Sequence, residues 1–236
     1  MHTNKKTVVL TGATGGLGTS LSKAFLSEDY NLVLIGTSYE KLETLKKQLE
    51  TDFPNNDIQY FQSDFSSEES IKNLIQKLDI VDVDVLINNA GIFDLVNIEN
   101  STNEDFSRTI NINVRAPFLL SKYAIEKMKK KKWGRIVNVG SSSAYNGSPD
   151  SGLYCISKHA LLGLSRSLYQ ELKKYNINTH SVCPGSIQTP MGASDKRQDY
   201  STFLCPDEVA KYILFLLSFN SNGIVDELRI NRIIVR

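Results

Sequence analysis

A glycine-rich turn between a strand-like and a helix-like segment constrains this chain most. The run TGATGGLG at residues 11–18 follows a β-branched, apolar stretch and precedes apolar residues at helical spacing. In such a turn Gly12 can make the tight bend, Gly16 lets backbone approach a pyrophosphate, and Gly18 permits close packing of the helix. The free N–H groups at the start of the helix would face the anion. The sequence therefore predicts a bound dinucleotide rather than a plain loop.

Strand-like and helix-like segments alternate along all 236 residues. Strands are predicted at 7–11, 31–35, 57–62, 83–88, 135–139, 177–183 and 228–235. Helices are predicted at 16–29, 39–50, 67–78, 102–130, 152–175 and 206–218. This alternation indicates an α/β fold: a single Rossmann-type domain over 1–236, with a doubly wound parallel sheet of about seven strands and helices on both faces.

One long polar stretch, from Gly192 to Thr202, shows no clear periodicity. A loop of this length beside a predicted site is typical of a lid, so we expect a short substrate lid at about 186–205. Its charged residues are mixed in sign. They would suit a polar substrate or form a solvated loop.

Composition argues against several classes of partner. The 27 basic and 26 acidic residues nearly cancel, so nothing in the net charge of +1 predicts nucleic acid or an anionic membrane. The lysines between 127 and 132 lie at the end of a predicted helix, where a solvated face is expected. The first ten residues resemble neither a signal peptide nor an anchor, and the longest apolar stretch, 213–217, is too short to span a bilayer. We expect a cytoplasmic protein.

The three cysteines, Cys155, Cys183 and Cys205, are odd in number and form no CxxC pair. This pattern favours reduced thiols over a disulfide framework, and it does not imply a metal.

The segment after the second predicted strand bears on cofactor choice. An NAD-specific site usually places an acidic group there for the ribose hydroxyls, but this chain has Gly36, Thr37 and Ser38. Gly36 leaves space for a 2′-phosphate, and the hydroxyls of Thr37, Ser38 and Thr14 can donate hydrogen bonds to it. The sequence therefore favours NADP(H) over NAD(H), although no Arg or Lys stands beside these positions in the chain.

Two further strand ends carry candidate ligand contacts. Asp64, after the third strand, could accept a hydrogen bond from an adenine amino group or act as a carboxylate at the N-terminus of the next helix, and spacing does not separate these readings. After the fourth strand, the small residues of Asn88-Asn89-Ala90-Gly91 could let backbone approach a ligand or form an ordinary turn.

Tyr154 and Lys158 are four residues apart, which on a helix places them on one face. A nearby cation favours the phenolate form of a tyrosine, so such a pair can do acid–base chemistry. Ser141, thirteen residues before Tyr154, lies at the carboxyl end of a predicted strand and could bind a substrate oxygen. Ser142 and Ser143 are possible substitutes for it.

Spacing alone does not single out this pair, because Tyr123 with Lys127 and Tyr169 with Lys173 show the same interval. The residues thirteen positions before those tyrosines are Ile110 and Ile156, which cannot hydrogen-bond a substrate. We therefore expect Tyr123 and Tyr169 to be ordinary helix-surface or interface residues.

These motifs together resemble the short-chain dehydrogenase/reductase family over nearly the whole chain. The family's TGxxxGxG matches Gly12, Gly16 and Gly18, and its NNAG matches 88–91. Its YxxxK matches Tyr154 and Lys158, and its PGxxxT matches Pro184, Gly185 and Thr189.

The resemblance implies an oxidoreductase in which Asn113, Ser141, Tyr154 and Lys158 act on a carbonyl or alcohol beside the nicotinamide. Tyr154 would donate the proton, Ser141 would orient the substrate oxygen, Lys158 would lower the pKa of Tyr154 and hold the ribose, and Asn113 would anchor a water. Together with the residues argued above, the resemblance gives the predicted cofactor-binding residues: Gly12, Thr14, Gly16, Leu17, Gly18, Thr37, Ser38, Asp64, Phe65, Asn89, Ala90, Gly91, Tyr154, Lys158, Pro184, Gly185, Ile187 and Thr189.

Substrate and assembly stay open at this point. A 3-oxoacyl thioester, a sugar or keto acid, and a simple ketone all fit an NADPH-dependent carbonyl reductase, and a catalytically silent cofactor-binding or scaffold protein is the alternative. The chain lacks the glycine-rich close that many family members have after the last strand. By resemblance, helices 102–130 and 152–175 would form a homodimer or homotetramer interface, with contributions from Phe118, Tyr123, Leu161, Leu164 and Leu168.

Overall fold

Seven strands form a single parallel sheet in the computed structural model, which describes residues 5–219 and 223–233. The strands are β1 (Thr7–Thr11), β2 (Asn31–Gly36), β3 (Ile58–Gln62), β4 (Val85–Asn88), β5 (Gly134–Val139), β6 (Ile177–Pro184) and β7 (Glu227–Ile230). Their order is β3-β2-β1-β4-β5-β6-β7, and every pairing is parallel. The predicted Rossmann-type sheet is confirmed.

Helices cover both faces of this sheet. They are α1 (Gly16–Ser27), α2 (Tyr39–Asp52), α3 (Glu68–Lys77), α4 (Asn103–Ile110), α5 (Ala116–Lys131), α6 (Gly152–Leu172), α7 (Pro190–Ala193) and α8 (Pro206–Ser218). Short 3₁₀ turns lie at Leu78–Ile80, Ile98–Asn100, Ser142–Ala144, Lys173–Tyr175 and Tyr200–Thr202. None of the helices described has both the length and the apolar character of a membrane-spanning segment.

The alternation of side chains along each strand divides the core into two layers. Val8 and Leu10 of β1 face one layer, which also contains apolar residues of α1, α2 and α8. Val9, between them, faces the other layer, which contains residues of α3, α5 and α6. Because both faces of the inner strands are buried, β1, β2 and β4 are largely apolar, as is typical of a parallel sheet.

Three predicted elements differ most from those in the structure, and several others have ends shifted by one or two residues. The predicted helix 102–130 is interrupted by a π-helical turn at Asn111–Arg115, and 152–175 is α-helical only to Leu172. The predicted strand 228–235 ends at Ile230, and residues 231–233 leave the sheet. Residues 234 and 235 of that prediction lie outside the described residues.

Because the strands are parallel, their carboxyl ends all lie at one edge of the sheet. The segments after β1, β4, β5, β6 and β7 meet at that edge, and the residues singled out from sequence lie on them or on the helices that follow. Ligands of open α/β sheets bind at this edge.

Candidate active site

A cavity of about 840 Å³ lies at the carboxyl ends of the strands. Its volume is within the range that holds a cofactor-sized molecule. Most of the predicted site residues line it: Gly12, Thr14, Gly16, Leu17, Gly18, Asn89, Ala90, Gly91, Ser141, Tyr154, Lys158, Pro184, Gly185, Ile187 and Thr189. Thr37, Ser38, Asp64, Phe65 and Asn113 do not.

The glycine turn is built so that other backbone can approach it. Gly12 has a φ of +65°, and a Cβ there would lie 2.9 Å from the Cα of Ala90. A Cβ on Gly18 would collide with the Gly12 carbonyl oxygen, and one on Gly16 would lie 2.7 Å from Cγ2 of Thr189. Gly16 therefore makes room for the segment after β6 as well as for any ligand.

The start of α1 opens onto the cavity. Its N-cap residue, Gly15, provides no side-chain hydrogen bond, and Gly15 to Gly18 all line the cavity. The first N–H groups of a helix have no partner within the helix. In this helix of twelve residues they face the cavity, and such N–H groups are typical of anion-binding sites.

Two side chains fix the turn against β4. The amide of Asn89 donates to the carbonyl oxygens of Thr11 and Gly12, at 3.0 and 3.2 Å. The hydroxyl of Thr11 accepts from the N–H groups of Asn89 and Ala90, at 2.9 and 3.0 Å. Asn89 is thus a positioning residue for the turn, and it also lines the cavity.

Tyr154, Lys158 and Ser141 come together in the cavity, as the sequence predicts. Nζ of Lys158 lies 5.5 Å from the centre of the Tyr154 ring and donates to the Val139 carbonyl oxygen at 2.9 Å. Phe93 packs edge-on against the Tyr154 ring, with 4.9 Å between ring centres. The Ser141 hydroxyl accepts from the Ser143 N–H at 3.1 Å, so its own proton remains free to donate.

Burial controls the ionisation of this pair. It raises the pKa of Tyr154 to about 12, and a hydrogen bond from Ser141 opposes the rise. Burial also lowers the pKa of Lys158 to about 8. Burial dominates both pKa values in this structure, and the lowering of the Tyr154 pKa by Lys158 stays a prediction.

Asn113 lies beneath the cavity wall, in the π-helical turn. Its Oδ1 accepts from the Ile92 N–H at 2.9 Å, and its Nδ2 donates to the Ile92 carbonyl oxygen and to Oγ of Ser157, both at 3.0 Å. Ser157 in turn donates to the Tyr154 carbonyl oxygen at 2.7 Å. Asn113 therefore connects the segment after β4 to the helix that carries Tyr154.

The remaining predicted residues have local structural contacts. Ser38 caps α2 by accepting from the Lys41 N–H, and the carbonyl of Thr37 accepts from Gln62. Asp64 is exposed, and its carboxylate accepts from the Ser66 N–H in the turn before α3. The Phe65 side chain packs in the core.

The structure adds cavity residues that the sequence reasoning missed. Lys41, one turn into α2, lines the cavity together with Thr14. Asn231 and Arg232 line it from the segment after β7. Lys41 lies three residues after Ser38, so in a helix that begins there it is close to the end of β2, and the sequence could have indicated it. Nothing local in the sequence indicated that Arg232 turns back over the site.

Residues of the predicted lid segment line the cavity and are held by polar contacts. The Asp195 side chain is only 5% exposed and pairs with Arg197, whose Nε lies 2.8 Å from Oδ1. Arg197 also pairs with Asp150, in the loop before α6. Arg197 and Gln198 line the cavity, so a solvated loop does not describe this part of the segment.

In the described part of the chain, no group of three or more His, Cys, Asp or Glu side chains is arranged to hold a metal ion. Cys155 and Cys183 are buried free thiols, and Cys205 is a half-buried one.

Comparison with known proteins identifies relatives. Residues 6–200 match the model of the short chain dehydrogenase family. The chain is 38% identical over 194 residues to an uncharacterized oxidoreductase from Thermotoga maritima, covering 80% of this chain and 74% of that protein. It is 30% identical over 231 residues to the 3-oxoacyl-[acyl-carrier-protein] reductase FabG of Rickettsia conorii, covering 94% and 93%. The solved structure of ElxO with NADP bound has a TM-score of 0.85 and 30% identity, covering 96% and 97%.

Proposed function

Because this chain belongs to the short-chain dehydrogenase family, we propose that it is an NADPH-dependent reductase that converts a carbonyl group to an alcohol, with Tyr154 as the proton donor. The observation that carries this proposal is the meeting of Tyr154, Lys158 and Ser141 in the same cavity as the glycine turn. A phenol, an ammonium and a hydroxyl beside a phosphate-binding helix end are the groups that such a reduction needs.

The residues present fit a nicotinamide dinucleotide. The uncapped N-terminus of α1 suits the pyrophosphate, and the cavity continues from there to Tyr154 without leaving the edge of the sheet. When bound, the nicotinamide would supply the hydride. Pro184, Gly185, Ile187 and Thr189 form the wall after β6 and are our candidates for holding its amide.

The protein groups then manage the charge on the substrate oxygen. With a pKa of about 12, Tyr154 stays protonated at neutral pH and can donate to the oxygen as it gains electron density. Ser141 donates a hydrogen bond to the same oxygen and orients it. With a pKa of about 8, Lys158 is mostly charged at neutral pH and favours the phenolate that remains.

Asn113 keeps a positioning role in this scheme. Both N–H donors of its amide are used within the protein, which leaves one lone pair of Oδ1. A water held by that lone pair would connect Lys158 to solvent, as the resemblance implies.

NADP(H) is the cofactor we favour over NAD(H). Thr37 and Ser38 directly follow β2, so no carboxylate stands at the end of that strand to repel a 2′-phosphate, and the first one, Glu40, lies in α2. Lys41 lines the cavity beside Thr14 and supplies the cation that was missing from the sequence argument. Thr37 and Ser38 do not line the cavity, so any contact from their hydroxyls requires the bound nucleotide to extend past it. Asp64 and Phe65 also lie outside the cavity lining, and they stay candidates for binding the adenine if the bound nucleotide extends past the cavity.

Assembly and location are parts of the same proposal. We expect a homodimer or homotetramer in the cytoplasm, and exposed apolar side chains on α4, α5 and α6 support an interface there: Phe106, Phe118 and Ile156. The predicted set needs correction, because Leu161 and Leu168 are buried within the protomer and the Tyr123 hydroxyl donates to Leu78. Leu164 is half-buried in the same core. Sedimentation at micromolar concentration tests the assembly.

The test of the reaction is Tyr154→Phe. With NADPH and a panel of ketones, aldehydes and 3-oxoacyl thioesters, we expect the variant to lose at least about 10²-fold in kcat, because general acid catalysis supplies a factor of that order. Binding of NADPH, followed by its fluorescence, should be unchanged.

Tyr169→Phe is the matched control. Tyr169 has a lysine at the same spacing, and Nζ of Lys173 lies 5.4 Å from its ring centre, but neither residue lines the cavity. This variant should keep full activity. Equal turnover by the two variants, or no reduction of any carbonyl by the wild-type protein, would overturn the proposed reaction.

A further inference from the structure

The segment after the last strand places a second functional group in the cavity. Residues 231–233 leave the sheet, and the aliphatic part of the Arg232 side chain runs along Gly185. A Cβ added to Gly185 would lie 3.5 Å from Cγ of Arg232. The guanidinium carbon lies 5.0 Å from the centre of the Phe203 ring. Arg232 is half-buried and lines the cavity together with Ser141 and Tyr154.

The neighbours of Arg232 hold it without neutralising it. Its Nη2 donates to Oε1 of Gln198 at 2.7 Å, and its Nη1 donates to the Thr202 hydroxyl at 3.2 Å. Both partners are uncharged, and no carboxylate of the described residues lies within ion-pair distance. A guanidinium has five N–H donors, so three remain for a ligand.

Arg197, the other arginine of the cavity, differs in this respect. It pairs with Asp195 and with Asp150, so two carboxylates already compensate its charge. The Asp195 carboxylate is saturated as well, because it accepts from the backbone N–H, Nε and Nη2 of Arg197 and from Gln198. Arg232 is therefore the cation of this wall that is available to a substrate.

Position separates Arg232 from the phosphate groups of the cofactor. The glycine turn follows β1, and Arg232 follows β7, four places along the sheet. At about 4.8 Å between neighbouring strands, this is a separation of about 19 Å. Ser141 follows β5, between the two. Along the order of strands, Arg232 thus follows the reacting group on the side away from the glycine turn, and we assign it to the substrate.

Several polar side chains line the same cavity as Arg232, beside apolar ones such as Phe93 and Met191: Ser142, Ser143, Ser148, Ser151, Ser186, Gln198 and Asn231. Gln198 contacts Arg232 directly, and Ser186 donates to Gln198 at 3.1 Å. A small polar molecule could hydrogen-bond to such groups, whereas an aliphatic chain that covered them would be costly.

We infer that the substrate is a small polar carbonyl compound with an oxyanion group, a carboxylate or a phosphate, and that Arg232 binds this group. The inference rests on the proposed reductase function. A planar guanidinium with free N–H groups pairs with such oxyanions in a bidentate manner. The contact sets the distance between the anionic group and the carbonyl that faces Tyr154.

Matched substrate pairs test the inference. Acetoacetate and its methyl ester carry the same ketone with and without a carboxylate, and dihydroxyacetone phosphate and dihydroxyacetone do the same for a phosphate. We expect the wild-type enzyme to prefer the anionic member of at least one pair by about 10- to 100-fold in kcat/KM, the range for one charge-assisted bidentate contact. The pair that shows the preference identifies the oxyanion.

Arg232→Gln should erase that preference through KM, with a much smaller loss for the neutral member than for the anionic member of the pair. Arg229→Gln is the control, because Arg229 lies in β7, three residues before Arg232, and stacks on Tyr145 outside the cavity. Equal losses for both members of a pair would mean that Arg232 only supports the lid, and would overturn the inference.

A binding measurement separates this inference from the proposed reaction. Acetate, malonate and inorganic phosphate are titrated calorimetrically into the complex with NADPH, and binding of at least one is expected in the wild type but not in Arg232→Gln. Binding that depends on Arg232 without any ketone reduction would refute the reaction and keep the anion site. Ketone reduction with no anion preference and no anion binding would refute the anion site alone.

Discussion

At the scale of single residues, the burial of Lys158 in the site lowers the stability of the folded protein at neutral pH. Burial lowers its pKa to about 8 from the ordinary 10.5, so the folded protein holds the ammonium less well than the unfolded chain does. Between these two pH values the unfolded chain binds more protons than the folded protein. Stability from this group therefore rises with pH across that window, by up to about 3 kcal/mol.

Lys158→Met removes this dependence. The variant should gain stability relative to the wild type at pH 7, offset in part by the Val139 carbonyl that loses its donor, and its advantage should shrink by up to about 3 kcal/mol as the pH approaches 10.5. Urea unfolding at pH 7 and pH 10 measures the difference, with the exposed Lys173→Met as control. Parallel curves for wild type and Lys158→Met would contradict the lowered pKa.

At the scale of elements, the lid is held by two ion pairs of unequal weight. Arg197 pairs with Asp150, whose side chain is 51% exposed, and with Asp195, whose side chain is 5% exposed. An exposed pair contributes about 0–1 kcal/mol. The buried carboxylate accepts four hydrogen bonds, and the arginine partner holds its pKa far below the usual range, so it stays ionised above about pH 4.

Asp195→Asn should therefore open the lid far more than Asp150→Asn. Trypsin cuts after Lys196 and Arg197, and cleavage through local opening follows the population of the open form. Loss of charge-assisted hydrogen bonds worth about 1.5–3 kcal/mol predicts cleavage at least about tenfold faster in Asp195→Asn. Asp150→Asn should change the rate by less than about fivefold. The opposite ranking would show that the loop before α6 holds the lid.

Sequence predicted the elements whose ends depend on local signals. Ser67 and Thr102 cap helices that begin within one residue of the predicted starts, and Gly12 turns where the glycine pattern indicates. The π-helical turn was missed because no local signal marks it, and Asn113 within the turn hydrogen-bonds to Ile92, 21 residues away. The path of Arg232 was missed for the same reason, since Gln198 and Thr202 hold it from the lid.

At the scale of the whole molecule, the sheet order spreads the site over most of the fold. The cavity takes residues from the ends of β1, β4, β5, β6 and β7, so a ligand there contacts segments far apart in the chain. The proposed cofactor phosphates lie near β1 and α2, and the proposed substrate anion lies near β7. Changes at Lys41 and at Arg232 should therefore act independently, as distant sites usually do.

Thermal unfolding with each nucleotide tests the cofactor end of this arrangement. NADPH at 100 times its Kd should stabilise the folded state by about 2.7 kcal/mol, which for a domain of this size raises Tm by about 5 to 10 °C. Lys41→Gln should reduce the shift caused by NADPH and leave that caused by NADH, because only NADPH carries the phosphate that Lys41 would contact. Lys47→Gln, on the same helix but paired with Glu43, is the control. A larger shift with NADH than with NADPH in the wild type would make NAD(H) the cofactor, and equal losses with both nucleotides would place Lys41 away from the 2′-phosphate.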